Sequence, residues 1–235
     1  MKKQILLLLL FSFSNMFSQD SIRYATHSQI FSLSPISKRV DKVNGLVVGV
    51  GHYDSRFIDK QTINGINLEV NPTALALPLF VLYLPEIIKQ NKMNIDKDSL
   101  KIVRVEKSKP LIQMNGLNIS SGCFTTSVNV NGLTISTFNK MNKINGISIT
   151  GLGVQADKIN GLTLGAYNGT NDLNGVMLGL FNETCSLNGL QLGFYNYSAT
   201  NSGIQIGILN MSKSRGLQFG LWNINNKRSM PFINW

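Results

Sequence analysis

The chain has 235 residues, of which 43% are hydrophobic, and it carries 22 basic against 12 acidic residues, a net charge of +10. This length is enough for one domain with a sizeable core. Two cysteines are too few for a disulfide scaffold. Despite the positive charge, the chain shows no basic helix or aromatic-rich motif of the kind that binds nucleic acid, so no nucleic-acid partner is expected.

The N-terminus has the features of a secretory signal peptide. Lys2 and Lys3 are followed by an uncharged apolar run at residues 5–11, and the small residue Ser18 precedes the expected cleavage after Ser18 or Gln19. The run is shorter than the roughly 20 residues that a membrane span needs. We therefore predict a signal peptide at residues 1–19 and an exported protein of the periplasm, the outer membrane or the cell surface. Residues 20–43 follow as a leader segment.

A repeat organises most of the remaining chain. Units start at Asn44, Asn64, Asn115, Asn131, Asn145, Asn160, Asn174, Asn188, Ser202 and Arg215, and glycine follows each start. The last seven starts are separated by 14, 15, 14, 14, 14 and 13 residues. Such a period predicts a repeat architecture in which each unit buries its apolar residues against its neighbours.

Each unit alternates apolar and polar residues after its glycine, as in Leu190-Gln191-Leu192. A period of two indicates a half-buried strand, and we expect the two aliphatic columns to face the core and the polar column to face solvent. A column of small residues follows, then two apolar positions, and asparagine closes the strand, as in Asn196. Asparagine and glycine both suit tight corners.

Every unit has the same start and the same finish, which favours parallel coils over hairpins. In a hairpin meander, alternate turns would lie at opposite ends of the sheet and would differ in their chemistry. Identical stacked units also allow asparagine side chains to bond along a ladder. The predicted fold is an all-β repeat β-solenoid with coils of about 14 residues. A return strand brings an aliphatic residue inward just before the next start (Val130, Ile144, Ile159, Leu173, Leu187).

The predicted division of the chain is as follows. The first repeats occupy residues 44–72, an apolar and basic insertion 73–110, the tandem solenoid 111–226, and a C-terminal cap 227–235. Cys123 and Cys185 would lie four coils apart, about 19 Å at ~4.8 Å per coil, which is too far for a disulfide.

The insertion combines an apolar stretch, broken by Pro78 and Pro85, with a lysine-rich stretch. We expect a partly helical segment near residues 73–100 that packs over the solenoid. The alternative is a peripheral membrane contact, in which residues 79–84 insert and the lysines meet lipid headgroups.

One aromatic column is the candidate binding site. It comprises Phe138, Tyr167, Phe181, Tyr195 and Trp222. If these side chains face solvent beside the glycine column, they form a shallow apolar groove suited to stacking on sugars or receiving a partner strand. If they turn inward, they belong to the core.

No catalytic constellation is visible in the sequence. His52 has a carboxylate two residues away at Asp54, but no third group is placed beside it. The acids of the tandem repeats are loop residues, unlike the clustered carboxylates of polysaccharide-cleaving enzymes. We therefore expect no enzymatic activity, no cofactor and no metal.

The units Asn188-Gly-Leu-Gln-Leu-Gly-Phe-Tyr-Asn196 and Gly203-Ile-Gln-Ile-Gly-Ile-Leu-Asn210 resemble the Gly-x-Gln-x-Gly-x-x-Asn repeats of uncharacterised bacterial surface-repeat proteins. The ending Arg228-Ser-Met-Pro-Phe-Ile-Asn-Trp235 is similar to the close of several of them. The resemblance covers roughly residues 40–72 and 111–235, although the earlier units carry serine or threonine in place of the central glycine. It implies a location at the bacterial envelope and brings no activity or site residues with it.

The leading interpretation is a non-enzymatic, exported structural or interaction protein of the cell envelope, with an unknown protein or glycan as partner. One alternative is a small outer-membrane β-barrel, which would have an alternating pattern of lipid-facing and lumen-facing residues. The other is a carbohydrate-binding repeat module, which depends on the aromatic column.

Overall fold

The computed structural model describes residues 27–52, 60–72, 112–124 and 127–235. In this part of the chain the structure is a parallel β-solenoid of about 10 turns, which confirms the fold predicted from the repeat. The strands are β1 (His27–Ser34), β2 (Val40–Gly49), β3 (Gln61–Glu69), β4 (Ile112–Ser120), β5 (Cys123–Phe124), β6 (Val128–Leu164), β7 (Tyr167–Asn201), β8 (Ile204–Ser212), β9 (Leu217–Ile224) and β10 (Ser229–Asn234).

The strands stack in the order β1-β2-β3-β4-β6-β7-β8-β9-β10, with β5 beside β6. Strands β2, β3, β4 and β6 pair in parallel and in register, so that Asn44, Asn64, Asn115 and Asn131 lie one above another. The backbone stays extended through several corners, and β6 and β7, with 37 and 35 residues, therefore each run through more than two coils.

The solenoid begins before the first Asn-Gly unit. β1 lies within residues 20–43, which the sequence assigns to a leader, and it pairs in parallel with β2. Phe31 is aligned with Leu46, and Leu33 with Val48. The first coil therefore keeps the pattern of the later ones without their Asn-Gly start.

The asparagines that start the units form the expected ladder at one corner. Each Nδ2 donates to the Oδ1 of the preceding coil's asparagine, from Asn44 to Asn188, over distances of 2.6–3.1 Å. The glycine that follows each of them has a positive φ, such as 144° at Gly189. A Cβ on Gly189 would overlap the carbonyl oxygen of Gly175. Close stacking at this corner thus requires glycine.

The expectation for the strand faces was wrong: the polar column faces the interior and the aliphatic columns face outward. Thr134, Ser148, Thr163, Gln191 and Gln205 are fully buried. The neighbouring aliphatic side chains are half-buried or exposed, and the exposed fraction reaches 41% at Ile147 and 40% at Ile149. The small residues two positions after the polar column share its direction, and Ser120, Ser136 and Thr150 are buried.

The interior is nevertheless aliphatic over most of its length, because the return strands face inward as predicted. The column just before each start is buried: Val43, Ile63, Met114, Val130, Ile144, Ile159, Leu173 and Leu187. In the two coils after Leu187, the equivalent positions of this column are occupied by the polar residues Asn201 and Ser214. The buried hydrophobic cluster contains no residue after Leu187, and hydrogen bonds dominate the interior of the last described coils.

A glutamine ladder runs through these last coils. Gln205 Nε2 donates to Gln191 Oε1 at 2.8 Å, and Gln218 Nε2 donates to Gln205 Oε1 at 2.8 Å. Asn234 continues the ladder, since its Nδ2 donates to Gln218 Oε1 at 3.1 Å. Identical amides stacked along the solenoid satisfy one another, so their burial leaves few unpaired groups.

The C-terminal strand β10 covers the last coil by antiparallel pairing with β9. Arg228 anchors it, because Nη2 donates to the carbonyl oxygen of Trp235 at 2.7 Å and Nε donates to Asn234 Oδ1 at 3.0 Å. The guanidinium also lies 3.8 Å from the centroid of the Trp235 ring, a cation–π contact.

Two further expectations concern particular segments. Cys123 and Cys185, both within the described ranges, form no disulfide, as the stacking predicts. The insertion at 73–110, with its predicted partly helical segment and the proposed membrane contact at 79–84, lies outside the described residues, as does the predicted signal peptide at 1–19.

Candidate functional site: an outward apolar face

The outward columns of the strands form one continuous surface, which we call the apolar face. It consists of a first column (Phe31, Leu46, Ile66, Leu117, Leu133, Ile147, Leu162, Val176, Leu190, Ile204, Leu217) and a second column (Leu33, Val48, Leu68, Ile119, Ile135, Ile149, Leu164, Leu178, Leu192, Ile206, Phe219). None of these side chains carries a charge or a hydrogen-bonding group. The face extends along the whole described solenoid.

A third outward column widens the apolar face in its last coils. Leu180, Phe194, Ile208 and Leu221 are 47%, 57%, 45% and 62% exposed. They lie two residues beyond the second column, on the other side of the glycine column. Contiguous exposed apolar surface of this kind often marks an interaction site.

The glycine column forms the floor of a groove between the second and third columns. The groove has a volume of about 710 Å³ and is lined by Gly179, Leu180, Leu192, Gly193, Phe194, Ile206, Gly207, Ile208, Phe219, Gly220, Leu221 and Phe232. Phe232 of β10 contributes at its C-terminal end. The groove exists because the column between the two outward rows points inward, so that only backbone separates these rows of large aliphatic and aromatic side chains.

These glycines are required by a second asparagine ladder, which lies inside the corner. Asn182 Nδ2 donates to Asn196 Oδ1 at 2.9 Å, and Asn196 Nδ2 donates to Asn210 Oδ1 at 2.8 Å. A Cβ on Gly193 would lie 2.6 Å from Asn182 Nδ2 and would overlap the carbonyl oxygen of Gly179. The inner ladder therefore requires glycine at this position, and the outward rows on either side of it form the walls of the groove.

The side chains of the predicted aromatic column differ in how far they are exposed to solvent. Tyr167 is buried and its hydroxyl donates to Glu183 Oε2 at 3.0 Å. Phe181 and Trp222 are exposed, whereas Phe138 and Tyr195 are half-buried. The rings of Phe181 and Tyr195 lie 6.5 Å apart and are tilted by 48°.

Burial, together with the nearby Glu183 and Tyr197, raises the pKa of Tyr195 above its usual range. The Tyr195 hydroxyl therefore stays neutral to a higher pH than an ordinary tyrosine, which is itself neutral at physiological pH.

The groove beside the glycines is lined by the residues just before the aromatic column. Phe194 and Leu221 line it, whereas Tyr195 and Trp222 do not. Sequence reasoning missed the lining residues because it attributed the groove to the more conspicuous rings. The alternation of side chains along a strand does indicate the lining residues, because Leu192 and Phe194 are two residues apart and therefore lie on the same side of an extended chain.

His52 is part of a buried cluster in the first coils. Its Nδ1 is hydrogen-bonded to Glu69 Oε1, and Asn67 Nδ2 donates to the same oxygen at 2.8 Å. Ser34 Oγ lies 3.5 Å from the same Nδ1, donates to the carbonyl oxygen of Gly51 at 2.6 Å and accepts from its amide at 3.1 Å.

A nucleophilic triad needs its acid and its serine on opposite ring nitrogens. Here both lie at His52 Nδ1, and the arrangement ties neighbouring coils together. Glu69 is the partner that sequence reasoning did not assign to His52.

No group of three or more histidine, cysteine, aspartate or glutamate side chains is placed to hold a metal ion within the described ranges. The same part of the chain contains no helix that is long and apolar enough to cross a bilayer. Comparison with protein-family models, curated proteins and solved structures returned no match.

Proposed function

We propose that the chain is a non-enzymatic, exported protein of the bacterial cell envelope that acts by association through its apolar face. The observation that carries the proposal is the continuous outward column of uncharged aliphatic side chains, which runs over about 10 turns. Exposed apolar surface on this scale is unfavourable in water and is typical of an interaction site.

The scaffold favours association over catalysis. Backbone pairing and side-chain ladders join every coil to its neighbours, as with the 2.8 Å bonds between Gln191, Gln205 and Gln218. Such a scaffold presents the same side chain at a regular interval of ~4.8 Å. Within residues 127–235 it therefore provides a long, regular surface of strands and short corners, which differs from the loops on which binding and catalytic groups are often placed.

The proposed location is supported by the N-terminal sequence and by the repeats. Residues 1–19 have the charge and hydropathy pattern of a signal peptide. The Gly-x-Gln-x-Gly-x-x-Asn units resemble those of bacterial surface-repeat proteins, which implies an envelope location.

Fractionation of the native host tests this proposal. A tagged full-length chain should be recovered with the envelope and not with the cytoplasm, and the variant L192K/I206K should be released from the envelope. S186K/T200K is the matched control, because it adds the same charge at two neighbouring coils away from the apolar face. Recovery of the wild-type chain in the cytoplasm would contradict the proposed location. Equal retention of both variants would contradict the role of the face.

A glycan-binding role is a second candidate, supported by the exposure of Phe181 and Trp222 (39% and 48%) at the outer surface. Exposed aromatic rings can stack on the apolar faces of sugars. The variant W222A should then lose co-sedimentation with insoluble cell-wall polysaccharide while its circular dichroism stays that of the wild type. Co-sedimentation equal to that of the wild type would remove this candidate.

A further inference from the structure

The last described coils place polar residues inside and apolar residues outside. Gln205 and Gln218 are fully buried, whereas their neighbours Ile206 and Phe219 are 39% and 37% exposed. The buried amides are satisfied by their ladder, and the aliphatic side chains have no comparable partner within their own coil. Water therefore contacts the part of these coils that would gain most from being covered.

The chemistry of the apolar face restricts what can cover it. Its columns contain only Leu, Ile, Val and Phe side chains, and the groove floor is glycine. A hydrophilic partner would lose hydration at this face without gaining hydrogen bonds from side chains, which is unfavourable. The occupant must present a similarly long, uncharged aliphatic surface.

The size of the face is close to that of a stable protein interface. At ~4.8 Å per turn, its two columns are about 7 Å wide over about six turns, and its three columns are about 13 Å wide over the last four coils. The flat projection is thus roughly 450 Å², and the ridged accessible surface is larger. Stable interfaces bury about 600–1,000 Å² on each partner.

The relief of the face is complementary to itself. In the last coils the second and third columns form two ridges, and the groove over Gly179, Gly193, Gly207 and Gly220 lies between them. A ridge from another copy of this chain has the same axial repeat as the groove that would receive it. An unrelated partner would match this axial repeat only if its own side chains happened to have the same spacing.

From the area, the chemistry and this self-complementary relief, we infer that the occupant of the apolar face is a second copy of this chain. The two solenoids pack face to face about a twofold axis, with a ridge of each copy in the groove of the other, as an isologous interface requires. The inference rests on the proposed function, because it names the partner of the same surface. Two sheets packed in this way lie about 10 Å apart.

Molar mass in solution tests the inference. The purified wild-type chain, measured by size-exclusion chromatography with light scattering, should have twice the mass of one chain. L192K/I206K should be monomeric with the circular dichroism of the wild type, and S186K/T200K should remain dimeric. L192A/I206A is a milder substitution that keeps the test valid if the lysine variant does not fold. It should raise the dimer dissociation constant by about tenfold or more.

Three results would overturn the inference. They are a monomeric wild-type chain, a dimeric L192K/I206K variant, and a wild-type monomer that binds vesicles of phosphatidylethanolamine and phosphatidylglycerol through the face, which would make lipid the occupant. The outcomes also separate the inference from the proposed function. A monomer that needs the face for envelope retention refutes only the second copy, whereas a dimer found in the cytoplasm refutes only the location.

Discussion

The inverted strand faces predict that a buried glutamine stabilises the solenoid more than the isoleucine beside it. Gln205 and Ile206 are consecutive residues of β8 that point to opposite sides. Gln205 is fully buried and Ile206 is 39% exposed. From hydropathy alone, Ile206→Ala would be expected to lower the free energy of unfolding more than Gln205→Ala does. From the structure, Gln205→Ala is expected to lower it more.

The magnitude for Gln205 follows from its contacts. Its Nε2 donates to Gln191 Oε1 at 2.8 Å, and its Oε1 accepts from Gln218 Nε2 at 2.8 Å. Each of these bonds contributes about 1 kcal/mol, and a partner left buried without a bond costs about 1–3 kcal/mol more. The truncation also leaves a cavity. The expected loss is therefore about 3–5 kcal/mol.

Ile206→Ala removes a side chain that already contacts water. Full burial of an isoleucine stabilises by about 1.5–3 kcal/mol, and the partial burial of Ile206 reduces the expected loss to about 1 kcal/mol. If two copies associate through the apolar face, Ile206→Ala causes an additional loss of stability, and this loss depends on protein concentration. The loss of stability caused by Gln205→Ala arises within one solenoid and does not depend on protein concentration.

Urea unfolding followed by far-ultraviolet circular dichroism, at low and at high protein concentration, measures both losses. At low concentration Gln205→Ala should lower the transition midpoint well below that of Ile206→Ala. A larger effect of Ile206→Ala under these conditions would refute the inward orientation of the glutamine column. Gln205→Glu extends the test, since a buried carboxylate cannot donate to Gln191 and should destabilise at neutral pH.

Three further predictions concern the ladders, the glycine column and the cap. Asn196→Ala, in the buried ladder, should cost about 3 kcal/mol in urea unfolding, whereas Asn160→Ala, in the solvent-accessible ladder, should cost about 1 kcal/mol or less; equal losses would contradict the difference in burial. Gly193→Ala should lower the thermal midpoint, at a cost of about 1–3 kcal/mol, while Gly151→Ala should be neutral, because a Cβ there would lie 3.9 Å from its nearest neighbour; a neutral Gly193→Ala would argue against the tight corner. Arg228→Gln should shift tryptophan fluorescence to longer wavelength by loosening the C-terminal strand, and Arg228→Lys should restore it only in part, since lysine lacks the planar fork of donors; an unchanged spectrum would show that Arg228 does not anchor the strand.

The glycan candidate and the proposed dimer use neighbouring but different residues. Trp222 lies outside the groove, and Leu221 lines it. Variants at these consecutive positions can therefore separate sugar binding from self-association. Leu221→Lys should affect molar mass alone if the second copy is the occupant.

Much of the fold could be predicted from the sequence, because a regular spacing of identical starts leaves few architectures. The Asn-Gly units from Asn131 to Arg215 recur every 13–15 residues, and only parallel coils place all of them at one corner. The ladder along Asn44 to Asn188 follows from that stacking, since identical amides at ~4.8 Å intervals can donate to one another. The aliphatic residue before each start is also constrained to face inward by the corner that follows it.

The direction of the strand faces was decided only in the tertiary structure. A period of two shows that Leu190 and Leu192 share one side and that Gln191 takes the other, but it does not say which side is inside. The usual assumption fails here because stacking places Gln205 between Gln191 and Gln218, and the buried amides of these three residues bond to one another. The inner asparagine ladder, which includes Asn196, needs glycine on the same inward side as Gln191. The repeat therefore establishes the solenoid, whereas hydrogen bonding between coils decides that its apolar columns face outward and form the candidate site.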